Sequence, residues 1–244
     1  MAESKTANLR LLRGPLLILL YQVAPITSRQ DSLGRYRVTV GFGGGQWENE
    51  QFSCEGDLIS ANPVRYGSGG AQVDAWPGTR LRLTGFGGVL HQTADSFFSA
   101  DYSGGFGGGQ VAYEGQHIGL GVGLTHVSGL DGFTAPVPYL RIGNIDGPHF
   151  RIDALAPNPA FSTAGWARIG IGFNNGHLRG RSGFFGLGVG PPDYNNKALA
   201  VGEFRFPIAR RLTVQLQGLV GPGERTTQWA TGLGLRYDFG RNRN

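Results

Sequence analysis

From Trp229 to Phe239 the chain alternates with a period of two, and the two faces this defines are chemically opposite. Trp229, Leu233, Leu235, Tyr237 and Phe239 fall on one side, and Ala230, Gly232, Gly234, Arg236 and Asp238 on the other. Successive side chains of a strand point to opposite faces. One face is therefore oily with aromatics at its ends, and the other is small or charged. The pattern recurs upstream. Tyr36, Val38, Val40 and Phe42 alternate with Arg37, Thr39 and Gly41, and Ile118, Leu120, Val122 and Leu124 with Gly119, Gly121, Gly123 and Thr125. Phe150, Ile152 and Ala154 alternate with Arg151 and Asp153, and Ala167, Ile169, Ile171 and Phe173 with Arg168, Gly170 and Gly172. Phe204 and Phe206 alternate with Glu203 and Arg205, and Leu212, Val214 and Leu216 with Thr213, Gln215 and Gln217. Helical periodicity is nearly absent after residue 34.

Many of these segments approach the ~9–11 residues with which a tilted strand crosses a bilayer. Turn formers punctuate them at Trp76-Pro77-Gly78, Asp146-Gly147-Pro148, Asn174-Asn175-Gly176, Gly190-Pro191-Pro192-Asp193 and Gly221-Pro222-Gly223. Short connections imply antiparallel hairpins. The spacing predicts an all-β chain, an up-and-down transmembrane barrel of about 12 strands, with 14 the next choice because single-chain bacterial barrels have even numbers. The segment 44–68 is the least clearly patterned. The string Gly-Phe-Gly-Gly-Gly-Gln occurs at 41–46 and again at 105–110, which hints at a duplicated hairpin. No linker divides the chain.

Composition supports a curved sheet. Glycine contributes 43 of 244 residues, without a Gly-X-Y period, and is spread through apolar segments where each would cost a helix about 1 kcal/mol. Charged residues make up only 16% of the chain, against about 25% in soluble domains. The formal charge is +5, and +3 without residues 1–28, which hold Lys5, Arg10, Arg13 and Glu3. No basic run is interleaved with aromatics, so no nucleic-acid partner is expected. The single cysteine, Cys54, has no partner for an internal disulfide and reads as a small strand residue.

Residues 1–28 have the three parts of a secretory signal: a basic start at Lys5, Arg10 and Arg13, an apolar core from Leu16 to Val23, and small or polar residues at Ala24, Thr27 and Ser28. That core is too short to span a bilayer, and no later apolar run reaches about 18 residues. A chain of this kind can enter a membrane only as a closed sheet, because an open edge leaves backbone groups unpaired in lipid. The expected division is a cleaved signal over 1–28 and one barrel domain over 29–244.

The end of the chain resembles a known family. Gly234-Leu235-Arg236-Tyr237-Asp238-Phe239 is similar to the terminal assembly signal of bacterial outer-membrane β-barrels, a glycine followed by two aromatics spaced by one residue. The resemblance implies Gly234, Tyr237 and Phe239 as an assembly motif read by the barrel-assembly machinery, location in the outer membrane of a Gram-negative-type bacterium, and contact with outer-membrane lipids and lipopolysaccharide. Gly240 to Asn244 follow the final aromatic, whereas the usual chain stops there. Under this reading Trp229, Phe204, Phe206, Tyr237 and Phe239 are candidates for the aromatic girdles. Arg141, Arg151, Asp153, Arg168, Glu203, Arg205, Arg236 and Asp238 would point into the lumen, where opposed signs pair and narrow the passage or form a charged path.

His126-Val127-Ser128 resembles the His-x-Ser element of outer-membrane phospholipase A and of the lipid A 3-O-deacylases. That resemblance implies His126 as general base and Ser128 as nucleophile on one strand face. The pair would look outward, near the extracellular rim if the last strand descends into the periplasm. An acid or asparagine that would orient the histidine is not evident. Asp131 lies in the following loop, and Gly129 stands where those families have asparagine. The glycine strings at 41–45 and 119–123 precede no helix and so do not form phosphate loops. His91, His117, His149 and His177 lack metal-ligand spacing, and no cofactor is implied. Three functions follow: a porin-like barrel with a structural or passive small-solute role, a lipid hydrolase using His126 and Ser128, or a soluble exported barrel whose oily faces would point inward around a ligand.

Overall fold

The computed structural model describes residues 36–52, 58–78, 80–94, 101–128, 133–156, 166–175, 181–189, 199–222 and 227–239. The proposed signal over 1–28, Cys54, Gly129 and Asp131 lie outside the described residues. The strands are β1 (Tyr36–Phe52), β2 (Leu58–Ala75), β3 (Leu81–Ala94), β4 (Tyr102–Glu114), β5 (Ile118–Val127), β6 (Phe133–Pro136) and β7 (Tyr139–Gly143). They continue as β8 (Pro148–Ala156), β9 (Trp166–Asn175), β10 (Arg181–Val189), β11 (Leu199–Ala209), β12 (Leu212–Pro222) and β13 (Thr227–Phe239).

All pairings are antiparallel, and apart from β5–β7 they join neighbours in the chain; β1 pairs with β13 from Tyr36↔Phe239 to Gln46↔Trp229, which closes the sheet. β6 and β7 both pair with β5, and the register runs on between them, since Leu124 faces Pro136 and Gly121 faces Tyr139. They are one wall strand interrupted at Val137-Pro138. Pro138 has no amide hydrogen to give the ladder, while the Val137 amide still donates to Gly123 O at 2.8 Å. The 13 segments therefore make a closed barrel of 12 strands, the number the alternation predicts.

At the end carrying Tyr36 and Phe239, the strands are joined by two to five residues, and at the far end by four to nine. Of the segment 44–68, unclear in sequence, residues 44–52 and 58–68 belong to β1 and β2, of 17 and 18 residues. Their pairing with each other reaches Phe52↔Leu58, while β13 stops at Gln46 and β3 at Val64. The β1–β2 hairpin thus projects beyond the far rim. Gly221 and Pro222, read as a turn from sequence, still pair with Gln228 and Thr227.

The wall is turned oily side out. Phe42 is 65% exposed, Val122 64% and Ile171 63%, and Tyr36, Leu235, Tyr237 and Phe239 are exposed as well. The residues between them in sequence are the buried ones. This inverts a soluble domain and fits a closed sheet facing lipid. The soluble-barrel reading needs these faces inside, and the structure puts them outside.

Glycine lets aromatic rings lie flat on the wall. A Cβ at Gly88 would come within 2.6 Å of the Phe106 ring, which lies across the inner surface. Outside, Phe173 is the cross-strand partner of Gly183 and its ring occupies the space a Cβ there would need. The covering of a strand glycine by a neighbouring aromatic is a recurrent stabilising device in sheets.

Candidate functional site

The inner surface is chemically polarised along the barrel axis. Its half nearer Tyr36 and Phe239 carries the charge; the other half is lined by Gly43, Gly45, Ser68, Gly70, Gly232 and similar small residues. Each charged position follows from period two: a polar residue flanked by outward apolar ones must face in.

In the charged half, Arg37, Arg82, Arg141, Arg151, Arg205, Arg236, Asp74, Glu114 and Glu203 are all at most 5% exposed. Buried charges need partners, and four ion pairs supply some of them. Asp238 accepts from Arg37 Nε at 2.7 Å and lies 3.3 Å from Arg236 Nη2. Arg205 pairs with Glu203 at 2.9 Å and Arg82 with Glu114 at 3.3 Å. Asp74 accepts from Gln72 Nε2 at 2.8 Å and from Thr84 Oγ1 at 2.7 Å. Arg82 also donates to Gln110 Oε1 at 2.9 Å, and Gln110 donates on to Val137 O at 3.1 Å, which ties the broken strand to β4.

Arg141 is held differently. It donates to Gly143 O at 2.6 Å and Gly115 O at 2.5 Å, so it braces two turns at the near end. Arg151 is its cross-strand partner on β8 and stacks over the Phe184 ring at 4.5 Å. Arg37 and Arg82 likewise lie over Trp76 and Tyr139, at 4.8 and 5.2 Å. Cation–ring contacts of this kind suit arginine in dry surroundings. Together these buried side chains crowd the inner surface at that level.

Of the sequence-derived lumen charges, the structure places Arg141, Arg151, Glu203, Arg205 and Arg236 buried on the inner surface and Asp238 beside them at 16% side-chain exposure. Asp153 and Arg168 are cross-strand partners at inward register positions; their side chains lie outside what is described. Four inward charges were missed: Arg37, Asp74, Arg82 and Glu114. The signal was available. Each has apolar neighbours that face out: Tyr36 and Val38, Val73, Leu81 and Leu83, and Tyr113. Gly234 faces inward, and Tyr237 and Phe239 face outward with their rings 4.6 Å apart.

His126 and Ser128 lie on the outer wall near the far rim and are bonded in opposite directions. His126 Nδ1 is 3.0 Å from Thr134 Oγ1 on β6. The Ser128 hydroxyl donates to Gly105 O and accepts from Gly105 N on β4, each at 3.0 Å. The histidine and serine that meet at close range are His91 and Ser103, cross-strand partners on β3 and β4, with Nδ1 2.7 Å from Oγ. Twelve residues separate them in sequence, so no short motif shows the pair. They border a hollow of about 560 Å³ whose lining includes Gly67, Gly69, Val89 and Gly105. Among the described residues no three His, Cys, Asp or Glu side chains cluster as metal ligands.

No protein-family model matches the chain, and no curated protein is similar to it in sequence. Solved structures do share its shape. An outer-membrane channel from Pseudomonas putida F1 superposes with a TM-score of 0.53 at 11% identity, covering 89% of this chain and all of that one. The β domain of the Bordetella autotransporter BrkA gives 0.51 at 15% identity, over 86% of this chain and all of its own. The chain therefore has the fold of the bacterial outer-membrane β-barrels.

Proposed function

We propose that this protein resides in a bacterial outer membrane and admits small polar solutes through a lumen restricted by its charged half. The observation that carries this reading is the division of the wall. Among the described residues, apolar side chains cover the outside, and nine ionic side chains at most 5% exposed crowd one half of the inside. A barrel of 12 strands that served only as a scaffold could fill its interior with apolar packing. An ionic filling is stable when paired and can rearrange around a hydrated solute. Passage is passive, and the restriction limits it to small species.

Two measurements test this. The protein should partition with detergent or vesicles and show heat-modifiable migration; recovery as a detergent-free monodisperse protein would end the membrane assignment. Reconstituted in planar bilayers, it should give small discrete conductance steps. Correct insertion with no steps above the lipid baseline would remove the passage role and leave a structural one.

A lipid-ester hydrolase is the second reading, and the 2.7 Å contact of His91 with Ser103 favours it. A base within reach of a hydroxyl, on a wall facing lipid, is what such chemistry requires. Acyl-chain patterns of lipid A and phospholipids should then differ between cells expressing the wild type and Ser103→Ala, with Ser128→Ala as the parallel test of the His-x-Ser element. Identical patterns in all three remove this reading.

A further inference from the structure

We infer that the lumen carries a binding bay for a small neutral polyol of glycerol size, rimmed by Thr39, Ser68, Gln72, Gln215 and Gln217 where the small-residue half borders the charged half. The inference deepens the passage reading: it rests on that reading for the solute's way in, and it names a class of solute.

The first argument is shape. β12, β13, β1 and β2 are consecutive in the wall. One cross-strand row runs from Gln217 through Gly232 and Gly43 to Ser68. The next runs from Gln215 through Gly234 and Gly41 to Gly70. In both rows the middle positions are glycine and at least one end is polar, so the inner wall has a floor of bare backbone beside hydrogen-bonding side chains. Thr39 and Gln72, themselves cross-strand partners, close the bay toward the charged half. At Gly88 the Phe106 ring fills the space above the backbone, whereas a Cβ at Gly234 would meet nothing nearer than 3.5 Å.

The second argument is hydrogen bonding. Gln72 is 2% exposed and commits its Nε2 to Asp74 at 2.8 Å. Its Oε1 is the end left over, and that oxygen is buried without a donor. Thr39 Oγ1, opposite it on β1, is buried and unmet as well. Buried polar atoms are seldom left unmet in proteins, and both of these residues line the cavity. Two neighbouring oxygens with spare capacity describe a ligand that donates hydrogen bonds.

The third argument is charge and size. Thr39 is the cross-strand partner of Arg236 and Gln215 that of Arg205, so two buried arginines stand beside the rim and oppose a cation. The nearby acid, Asp74, is engaged by Gln72 and by Thr84. Oxygen acceptors oppose an anion, which leaves a neutral donor. Amides and hydroxyls on the rim both give and accept hydrogen bonds, and a hydroxyl of the ligand does the same. The cavity offers about 30 Å³ of room for the centres of water-sized groups. At the ~10–15 Å³ that each such group needs, it takes about two or three, the hydroxyls of a short polyol.

The test uses the full chain purified in detergent without glycerol, with glycerol as the probe. Saturation-transfer NMR should show a glycerol signal that saturates with concentration, and sorbitol, too long for the bay, should give much less. Thr39→Val removes the unmet hydroxyl while keeping the side chain's shape, and it should lose the saturable signal. Gly234→Ala should lose it too, because its methyl enters the bay; with no atom nearer than 3.5 Å, that methyl is compatible with the fold. Ile171→Leu, on the outer wall, should keep the signal. A signal that does not saturate, that is equal for the two polyols, or that survives either Thr39→Val or Gly234→Ala overturns the proposal and leaves a bay of ordered water only. If Thr39→Val does not fold, Gly234→Ala decides. Saturable glycerol binding without conductance removes only the passage role; conductance without saturable binding defeats this inference alone.

Discussion

Asp238 accepts a hydrogen bond from Arg37 Nε at 2.7 Å across the seam where the last strand meets the first. The same carboxylate lies 3.3 Å from Arg236 on its own strand. One acid therefore pairs with two buried arginines at the joint that closes the barrel. Asp238→Asn should destabilise the folded form by about 3 kcal/mol, the low end for breaking a buried pair, since Asp238 keeps some exposure. A urea titration of the heat-modifiable form measures it; an unchanged midpoint would show that the seam is held by its backbone ladder alone.

Phe106 lies across Gly88 on the inner wall. Gly88→Val should cost about 1–3 kcal/mol through overpacking against this ring and the adjacent strand. The equivalent change at Gly78, where a Cβ would meet nothing, should be near neutral. Comparison of the two unfolding midpoints provides the check.

Arg82 and Glu114 pair at 3.3 Å with 3% and 2% side-chain exposure, and Arg82 extends to Gln110. Removing both partners avoids leaving a lone buried charge and takes two long side chains out of the crowded section. The Arg82→Ala/Glu114→Ala double variant should therefore insert normally and conduct severalfold more than the wild type in planar bilayers. Equal conductance would mean that the restriction lies at another level of the lumen.

Ile171 faces outward at mid-strand and is 63% exposed. Ile171→Arg should cost about 2–4 kcal/mol if this wall meets the hydrocarbon core, whereas Ile171→Leu should change little. Folding titrations into lipid vesicles separate these outcomes. Tolerance of the arginine would contradict a lipid-facing wall.

The architecture was legible because each wall strand repeats one local rule. An apolar residue at every second position around 36–42, 118–124 or 233–239 states which side faces out, and no long-range information is needed for that. The broken strand was less legible. Phe133–Pro136 and Tyr139–Gly143 are too short to count separately, and only their shared partner β5 shows them to be one wall strand. Inward charges could be read wherever apolar neighbours flanked them, and Arg37, Asp74, Arg82 and Glu114 were missed although they obey that rule. The close His91–Ser103 contact had no signal at all, because its members lie on different strands.

The sequence alone determined the strands, their two faces and the oily exterior, since side-chain direction in a strand follows from position parity. It also determined that ionic groups would be enclosed. Only the tertiary structure decided which of them meet: Asp238 with Arg37, Arg141 opposite Arg151, and Arg205 and Arg236 near Arg37. The physical reason is register. Parity fixes a side chain's face, but its neighbours across the wall and across the lumen depend on the stagger of all 12 strands when the sheet closes, and no local period encodes that stagger.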